Sequence, residues 1–204
     1  MLRKIFLSLF ILLFFVSSEL QAQEGFDLWA VGGFNATQIA GDGLAGYDKI
    51  GFQGGLKLGY LLQDKWEVDL EMLFAQKGSR ASTAQILAGS RQITSLDYLE
   101  LPIYVTYNDW YQEKENYYKV GLHAGFSAGY LFSATSKNSL VRDDLENFKN
   151  IDYSVILGAF YAFNNKWSVT VRYTNSFIKI YKNEQLTTEG LLNFLWTFRA
   201  DYHF

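Results

Sequence analysis

The sequence has no cysteine, one proline and two histidines among its 204 residues. The lack of cysteine excludes a disulfide framework, a lipid-modified lipoprotein start and a thiolate metal site. The histidines, His123 and His203, are the only candidates for an imidazole base, and neither has a nucleophile in a suitable sequence pattern. We therefore expect no catalytic site, no metal site and no cofactor.

The chain also lacks an excess of positive charge. Its 18 Lys and Arg are outnumbered by 21 Asp and Glu, which gives a net charge of −3 and argues against a nucleic-acid partner. The mean hydropathy is only −0.04, although aromatic residues make up 18% of the chain. This combination is typical of a membrane β-barrel, because half of its strand residues face lipid and half face a polar interior.

Long apolar runs are absent after the first 16 residues. Arg3 and Lys4 precede the apolar run 5–16, and small and polar residues follow it up to Ala22, which is the order of a secretory signal peptide. The run is too short for a comfortable transmembrane helix, which needs about 20 apolar residues. The sequence thus predicts a signal peptide at 1–22 and a single domain at 23–204.

What the chain does have is a two-residue period of apolar side chains. From Trp66 to Phe74, apolar residues alternate with Glu67, Asp69 and other residues, and only a strand places two such sets on opposite faces. With a glycine-rich first segment included, eight segments are predicted strands. They cover 26–35, 52–62, 66–75, 99–107, 118–132, 153–163, 167–173 and 192–204.

Short and long connections alternate between these segments. Residues 63–65 and 164–165 form tight turns and 108–116 a modest one, whereas four longer polar stretches lie between them, at 36–49, 77–95, 134–150 and 179–190. In an up-and-down membrane barrel with an even strand number, short turns collect at the periplasmic end and long loops at the outer surface. We therefore predict an eight-stranded antiparallel up-and-down transmembrane β-barrel. Pro102, inside the fourth strand, predicts a local bulge.

Several stretches resemble those of the PorT-like small outer-membrane β-barrel family of Bacteroides-group bacteria. They are Gly32 to Thr37 with Gly41-Asp42, Gly51 to Leu56, Glu71 to Gly78, Tyr98 to Pro102, Gly121 to Tyr130, Val171 to Tyr173 and the aromatic end Phe204. The resemblance covers essentially all of 23–204. It implies location in the cell outer membrane and recognition of the last strand by the barrel-insertion machinery. The founding member of the family is tied to a protein-secretion system, whereas most relatives have no assigned role.

In the predicted barrel, the polar set of each strand lines the lumen. Eight strands leave an interior just wide enough for side chains to fill, so the lumenal charges should pair across it. The predicted network consists of Glu71, Glu100, Arg172, Lys119 and Arg199. Aromatic residues near strand ends are predicted to lie at the lipid interfaces, namely Trp29, Trp66, Trp110, Trp167, Trp196 and Phe204.

Three functions are compatible with this sequence. The first is a structural or interaction scaffold with a filled lumen and extracellular binding loops, which would meet lipid, ligands or envelope proteins. The second is a narrow transport channel or one subunit of a protein-secretion complex. The third is a soluble lipocalin-like barrel that places the apolar set inside, around a ligand.

Overall fold

The structure, a computed structural model, describes residues 25–44, 46–137, 148–181 and 191–204. The predicted signal peptide lies outside these residues. Within them, one short helix, α1 (Thr83–Leu87), is present, and no helix is long and apolar enough to cross a membrane. The eight strands are β1 (Phe26–Ala40), β2 (Lys49–Gln63), β3 (Trp66–Arg80), β4 (Ile93–Gln112), β5 (Tyr117–Lys137), β6 (Ile151–Ala162), β7 (Trp167–Ser176) and β8 (Leu192–His203).

Each strand pairs antiparallel with the next, and β8 pairs with β1, so the sheet is a closed barrel. The closing ladder runs from Trp29 opposite His203 to Ala40 opposite Leu192. Gly33 permits close approach within this ladder, because a Cβ there would lie 2.2 Å from the carbonyl oxygen of Phe198. Closure leaves no free sheet edge along the paired part of the wall. The predicted strand number and topology are confirmed.

The two faces of the wall differ in chemistry. Leu70, Ile103 and Phe126 occupy successive strands of one rung and point outward, with 48%, 53% and 60% of their surface exposed. Asp69 and Glu71, the neighbours of Leu70 on the other face, are fully buried. The apolar set therefore lies outside and the polar set inside. This arrangement is the reverse of what the lipocalin-like hypothesis requires, and that hypothesis is wrong.

The connections fall at two ends of the barrel. The turn end comprises residues 64–65, 113–116 and 163–166 together with Gly25 and Phe204, and the described part of the loop end comprises 41–44, 46–48, 81–92, 148–150, 177–181 and 191. This sorting of short and long connections agrees with the sequence prediction.

Several strands extend further toward the loop end than the sequence predicts. β3 continues to Arg80, β4 already begins at Ile93 and β5 reaches Lys137, so the predicted loop 77–95 shrinks to 81–92. β1 likewise continues to Ala40. In these extensions the outer face has few large apolar residues, and some apolar side chains, such as Leu96 and Tyr98, point inward, so the apolar-out alternation that reveals a strand is lost.

The predicted bulge at Pro102 is absent. Pro102 pairs with Ser127 of β5, and the register between β3 and β4 is the same on both sides of it, from Leu70 opposite Ile103 to Leu73 opposite Glu100. The missing N–H leaves a short gap in the β3–β4 ladder, which is a smaller perturbation than an inserted residue. The register shift near this strand lies instead in the β4–β5 ladder, where Asp97 pairs with Ser133 and Tyr98 pairs with Leu131.

Candidate functional site

A layer of charged side chains crosses the middle of the lumen. Glu71 of β3 accepts two hydrogen bonds from Arg172 of β7, at 2.8 and 3.0 Å, and one from Arg199 of β8, at 2.7 Å. The Tyr104 hydroxyl of β4 also donates to Glu71. Because β3 and β7 are not neighbours in the sheet, these bonds span the lumen. We call Glu71, Tyr104, Arg172 and Arg199 the central charge layer.

Burial explains why this layer is so tightly paired. Glu71 is 0% exposed, and the two guanidinium groups are at most 5% exposed, so none of the charges is compensated by bulk water. The planar guanidinium of Arg172 matches the two carboxylate oxygens and also lies over the Tyr104 ring, 4.8 Å from its centroid. Arg172 donates a further bond from Nε to Nε2 of His123, at 3.2 Å. The imidazole therefore acts as an acceptor that positions Arg172.

A second layer lies nearer the loop end. Lys77 of β3 is 2.6 Å from Glu100 of β4 and 3.0 Å from Asp152 of β6, and Asn193 of β8 donates to Asp152 at 3.0 Å. We call Lys77, Glu100, Asp152 and Asn193 the upper charge layer. Lys77 is 1% exposed, so its pairing crosses a dry part of the lumen.

The sequence predicts one lumenal charge network of five residues, and the structure distributes these five residues over different levels of the lumen. Glu71, Arg172 and Arg199 are together in the central charge layer, whereas Glu100 pairs with Lys77 in the upper charge layer. Lys119 belongs to neither layer, because it lies four residues from His123 along β5, about 13 Å toward the turn end. Its Nζ lies 4.8 Å from the centroid of the Trp110 ring.

The predicted network does not include Lys77 and Asp152, which pair in the upper charge layer. For Lys77, the strand phase indicates an inward position. Lys77 keeps the inward phase of Asp69 and Glu71 in the same strand, but the prediction ended the strand at residue 75. Asp152 stands one residue before the predicted start of the sixth strand and shares the inward phase of Ser154.

The half of the lumen toward the turn end is open. A cavity of about 980 Å³ extends from the turns to a floor that includes Tyr104, His123 and Arg199. In its wall, Lys57 pairs with Asp69 at 3.2 Å and with Glu67 at 3.6 Å. We call this cavity the vestibule. It ends at the central charge layer.

Trp29 lines the vestibule and does not lie at the lipid interface as predicted. Lys57 Nζ lies 3.4 Å from the centroid of its indole, and the His203 ring stacks on it at 4.8 Å. Trp29 shares the inward phase of Val31 and Asn35, which are buried. The glycine-rich first strand has no clear apolar alternation, so its phase could not be read from the sequence.

The other predicted interface aromatics are on the outer surface. Trp66, Trp167 and Trp196 lie beside Tyr107, Tyr202 and Tyr173 respectively, with ring centroids 4.9 to 5.0 Å apart. Trp110 and Phe204 are also exposed, near the turn end. Most of this set lies toward the turn end, whereas Trp196 lies toward the loop end.

An apolar cluster closes the lumen at the loop end. Inward side chains of β1, β4 and β5 meet residues of the segments 148–150, 177–181 and 191. The buried members are Ile39, Leu96, Tyr98, Leu131, Phe148, Ile180, Tyr181 and Leu191, and we call them the apolar cap. The described lumen is thus filled from the central charge layer to the loop end.

Two ionisable groups outside the strands have shifted pKa values. Burial raises the pKa of Asp42, whose Oδ1 accepts a hydrogen bond from the Leu44 amide at 2.9 Å. The hydrogen bond to Asp109 raises the pKa of Lys65 at the turn end. Among the described residues there is no group of three or more His, Cys, Asp or Glu side chains that could hold a metal ion.

A closed eight-stranded barrel with an apolar outer face and a charged interior defines a transmembrane protein of the outer-membrane barrel class. Residues 21–182 match a family model described as outer membrane protein beta-barrel domain, and the chain belongs to this family. The protein is located in the cell outer membrane. No curated protein matches the chain.

Solved structures of small outer-membrane barrels are similar in fold. Ail of Yersinia pestis is 16% identical with a TM-score of 0.51, and the match covers 89% of this chain and 100% of Ail. Neisserial surface protein A is 12% identical with a TM-score of 0.48, over 89% of this chain and 98% of that protein. OprG of Pseudomonas aeruginosa is 15% identical with a TM-score of 0.39, over 90% of this chain and 98% of OprG. The likeness to Ail agrees with the barrel fold.

Proposed function

We propose that this protein is a non-enzymatic, non-conducting outer-membrane barrel that acts as a structural and interaction scaffold. The observation that carries the proposal is the central charge layer, in which Glu71 binds Arg172 and Arg199 across the lumen. An eight-stranded barrel encloses just enough space for side chains to fill. A layer of ion pairs across that space leaves no continuous water path for ions.

The upper charge layer and the apolar cap support the same proposal. An ion that passed the central charge layer would next meet Lys77, held by Glu100 and Asp152, and then the dry cluster that includes Leu96 and Tyr98. Crossing an apolar cluster strips an ion of its hydration at high cost. The central charge layer, the upper charge layer and the apolar cap thus block the lumen at three successive levels, which favours a permanently closed barrel over a gated channel.

The interaction role is proposed for the loop end. There β3 and β5 remain paired with β4 up to Ile93, beyond the end of the β5–β6 ladder at Tyr130. The helix α1 is joined to the loop after β1 by the hydrogen bond from Gln85 to the Gly43 carbonyl, at 3.2 Å. Such an arrangement gives the loops a rigid base, as binding loops on other scaffolds have. Envelope proteins and lipid are the proposed partners.

Conductance across planar lipid bilayers tests the closed lumen. The folded protein, added to both chambers, should produce no discrete current steps at voltages where an open porin in the same preparation does. Discrete steps with the wild-type chain would contradict the proposal and would favour a channel.

The vestibule favours a second candidate, a transport role. It leads from the turn end, which faces the periplasm in barrels of this class, directly to the central charge layer. Opening that layer would have to break the bonds of Glu71 with both arginines. The resemblance to PorT-like barrels likewise supports a place in a secretion complex. Stable co-purification of secretion-system subunits with the chain would favour that role over an independent scaffold.

A further inference from the structure

The outer face of the β3–β5 extension changes from apolar to cationic along each strand. Phe74, Leu99 and Phe132 are the last large apolar side chains of the continuous apolar zone, and beyond them toward the loop end the outer face of these strands has one more, Ile93 of β4. The other residues beyond them are small or polar, and the series ends at Arg80 of β3 and Lys137 of β5. These two side chains flank Ile93 of β4 in a single rung and are both exposed.

The two cations have no counter-ion in the described part of the chain. Neither Arg80 nor Lys137 makes an ion pair there. Lys49 adds a third positive charge next to Arg80 and Asp97, and Asp97 already accepts a hydrogen bond from Gln76 at 3.1 Å. Among the described residues the patch therefore has a net positive charge, and an anion complements it.

The distance of the patch from the apolar zone indicates which kind of lipid headgroup could reach it. Arg80 is six residues beyond Phe74, which corresponds to about 20 Å along the strand and to about 14 Å along the membrane normal for a strand tilted by about 45°. The headgroup zone of an ordinary phospholipid bilayer extends only about 5 to 8 Å beyond the hydrocarbon. A larger headgroup is needed to reach the patch from the bilayer. Thr135 and Ser95 lie between the apolar zone and the cations and offer hydroxyl groups to such a headgroup.

We propose that the outer face formed by Arg80, Ser95, Thr135 and Lys137 binds the phosphate-bearing sugar headgroup of an outer-leaflet glycolipid. The acyl chains then cover Phe74, Leu99 and Phe132, which are continuous with the patch. Arg80 and Lys137 bind phosphate from two neighbouring strand ends, and the hydroxyl side chains below them contact sugar. The proposal requires the outer-membrane location but not the closed lumen, so the conductance result does not decide it.

A binding titration in phosphocholine micelles tests this site. The probe is bisphosphorylated lipid A, compared with the same lipid after removal of both phosphates. The R80Q/K137Q variant should bind the phosphorylated lipid roughly thirty-fold more weakly than the wild type, from about a fivefold loss for each cation. The matched control is K114Q/K166Q, which removes two exposed lysines at the turn end and should bind like the wild type. The R80K/K137R variant should retain most of the affinity.

Three results would overturn the proposal. Equal affinity for the dephosphorylated lipid would assign binding to the apolar face alone. An equal loss in K114Q/K166Q would assign it to net charge. Competition by inorganic phosphate at millimolar concentration would identify a free-phosphate site in place of a lipid site.

Discussion

Glu71 is the carboxylate that both buried arginines of the central charge layer share, and it accepts hydrogen bonds from Arg172 and from Arg199. The residue was placed in the lumen from strand phase alone, since it alternates with Leu70 and Met72. Its partners could not be chosen that way. Glu100 has the same charge and also faces inward, yet it contacts Lys77 and not the arginines.

The first prediction concerns the loss of that charge. Glu71→Gln leaves the buried guanidinium of Arg172 without a counter-ion and leaves Arg199 with Asp201 alone, at 2.8 Å. It should lower the free energy of unfolding by about 3 to 5 kcal/mol. Urea unfolding of the protein in lipid vesicles, followed by tryptophan fluorescence, measures this change.

Two further variants make the result interpretable. Glu113→Gln removes an exposed carboxylate in a turn and should leave stability unchanged. Replacing Glu71, Arg172 and Arg199 by Met or Leu together with Asp201→Asn, which removes the carboxylate that also pairs with Arg199, should restore most of the lost stability, because well-packed apolar residues can substitute for a buried ion network. A Glu71→Gln variant as stable as Glu113→Gln would show that the negative charge of Glu71 does not contribute to the free energy of unfolding.

The second prediction concerns the outward face at mid-strand. Leu70 lies in a rung of outward apolar residues, between Leu58 and Ile103, far from both ends of its strand. Leu70→Arg should cost about 2 to 4 kcal/mol, because it places a cation near the bilayer midplane. The same unfolding experiment applies. Leu62→Arg, at the turn end of β2, is the control and should cost about 1 kcal/mol or less. Equal effects of the two arginines would argue against lipid contact at Leu70.

At the scale of the strands, the sequence predicts the extent of a strand correctly where its outer face is apolar, and it ends the strand too early where the outer face is not. Residues 66–75 were assigned to a strand because lipid on one side and a polar lumen on the other impose strict alternation. Residues 76–80 continue the same strand but lie beyond the apolar zone, so no apolar alternation marks the continuation and only the inward phase of Lys77 indicates it. The pairing of β3 with β4 maintains the extension.

The third prediction tests how the extension is held. Gly78 has φ of 141°, and a Cβ there would lie 2.0 Å from the Thr94 carbonyl oxygen. Gly78→Ala should destabilise the extension by more than about 1 kcal/mol and speed amide hydrogen exchange in 76–80 and 93–97, while the rest of the barrel keeps its protection. Gly32→Ala is the control, since a Cβ there meets no atom within 4 Å. Unchanged exchange in Gly78→Ala would mean that the backbone relaxes without cost.

At the scale of the whole molecule, closure and internal pairing act together. The eight ladders leave no free edge along the paired wall, and the two charge layers tie opposite walls to each other. Such a barrel should resist detergent until it is heated.

The fourth prediction follows from that resistance. The folded protein should migrate on a detergent gel at a different apparent mass from the boiled protein, and both bands should come from the outer-membrane fraction of cells. Glu71→Gln should lower the temperature at which the folded band disappears, whereas Glu113→Gln should not. A single band at all temperatures would contradict a detergent-resistant closed barrel.

The alternation of side chains along the chain predicts the number of strands, their order and the inward or outward phase of most of them, because alternation is a local property of each strand. The tertiary structure decided which lumenal charges meet, since Glu71 reaches Arg172 only through the stagger and curvature of the closed wall. It also decided the direction of Trp29, whose phase is fixed by the closing ladder with β8 and not by its glycine-rich neighbours. Contacts across a lumen join residues far apart in the chain, and no local pattern encodes them.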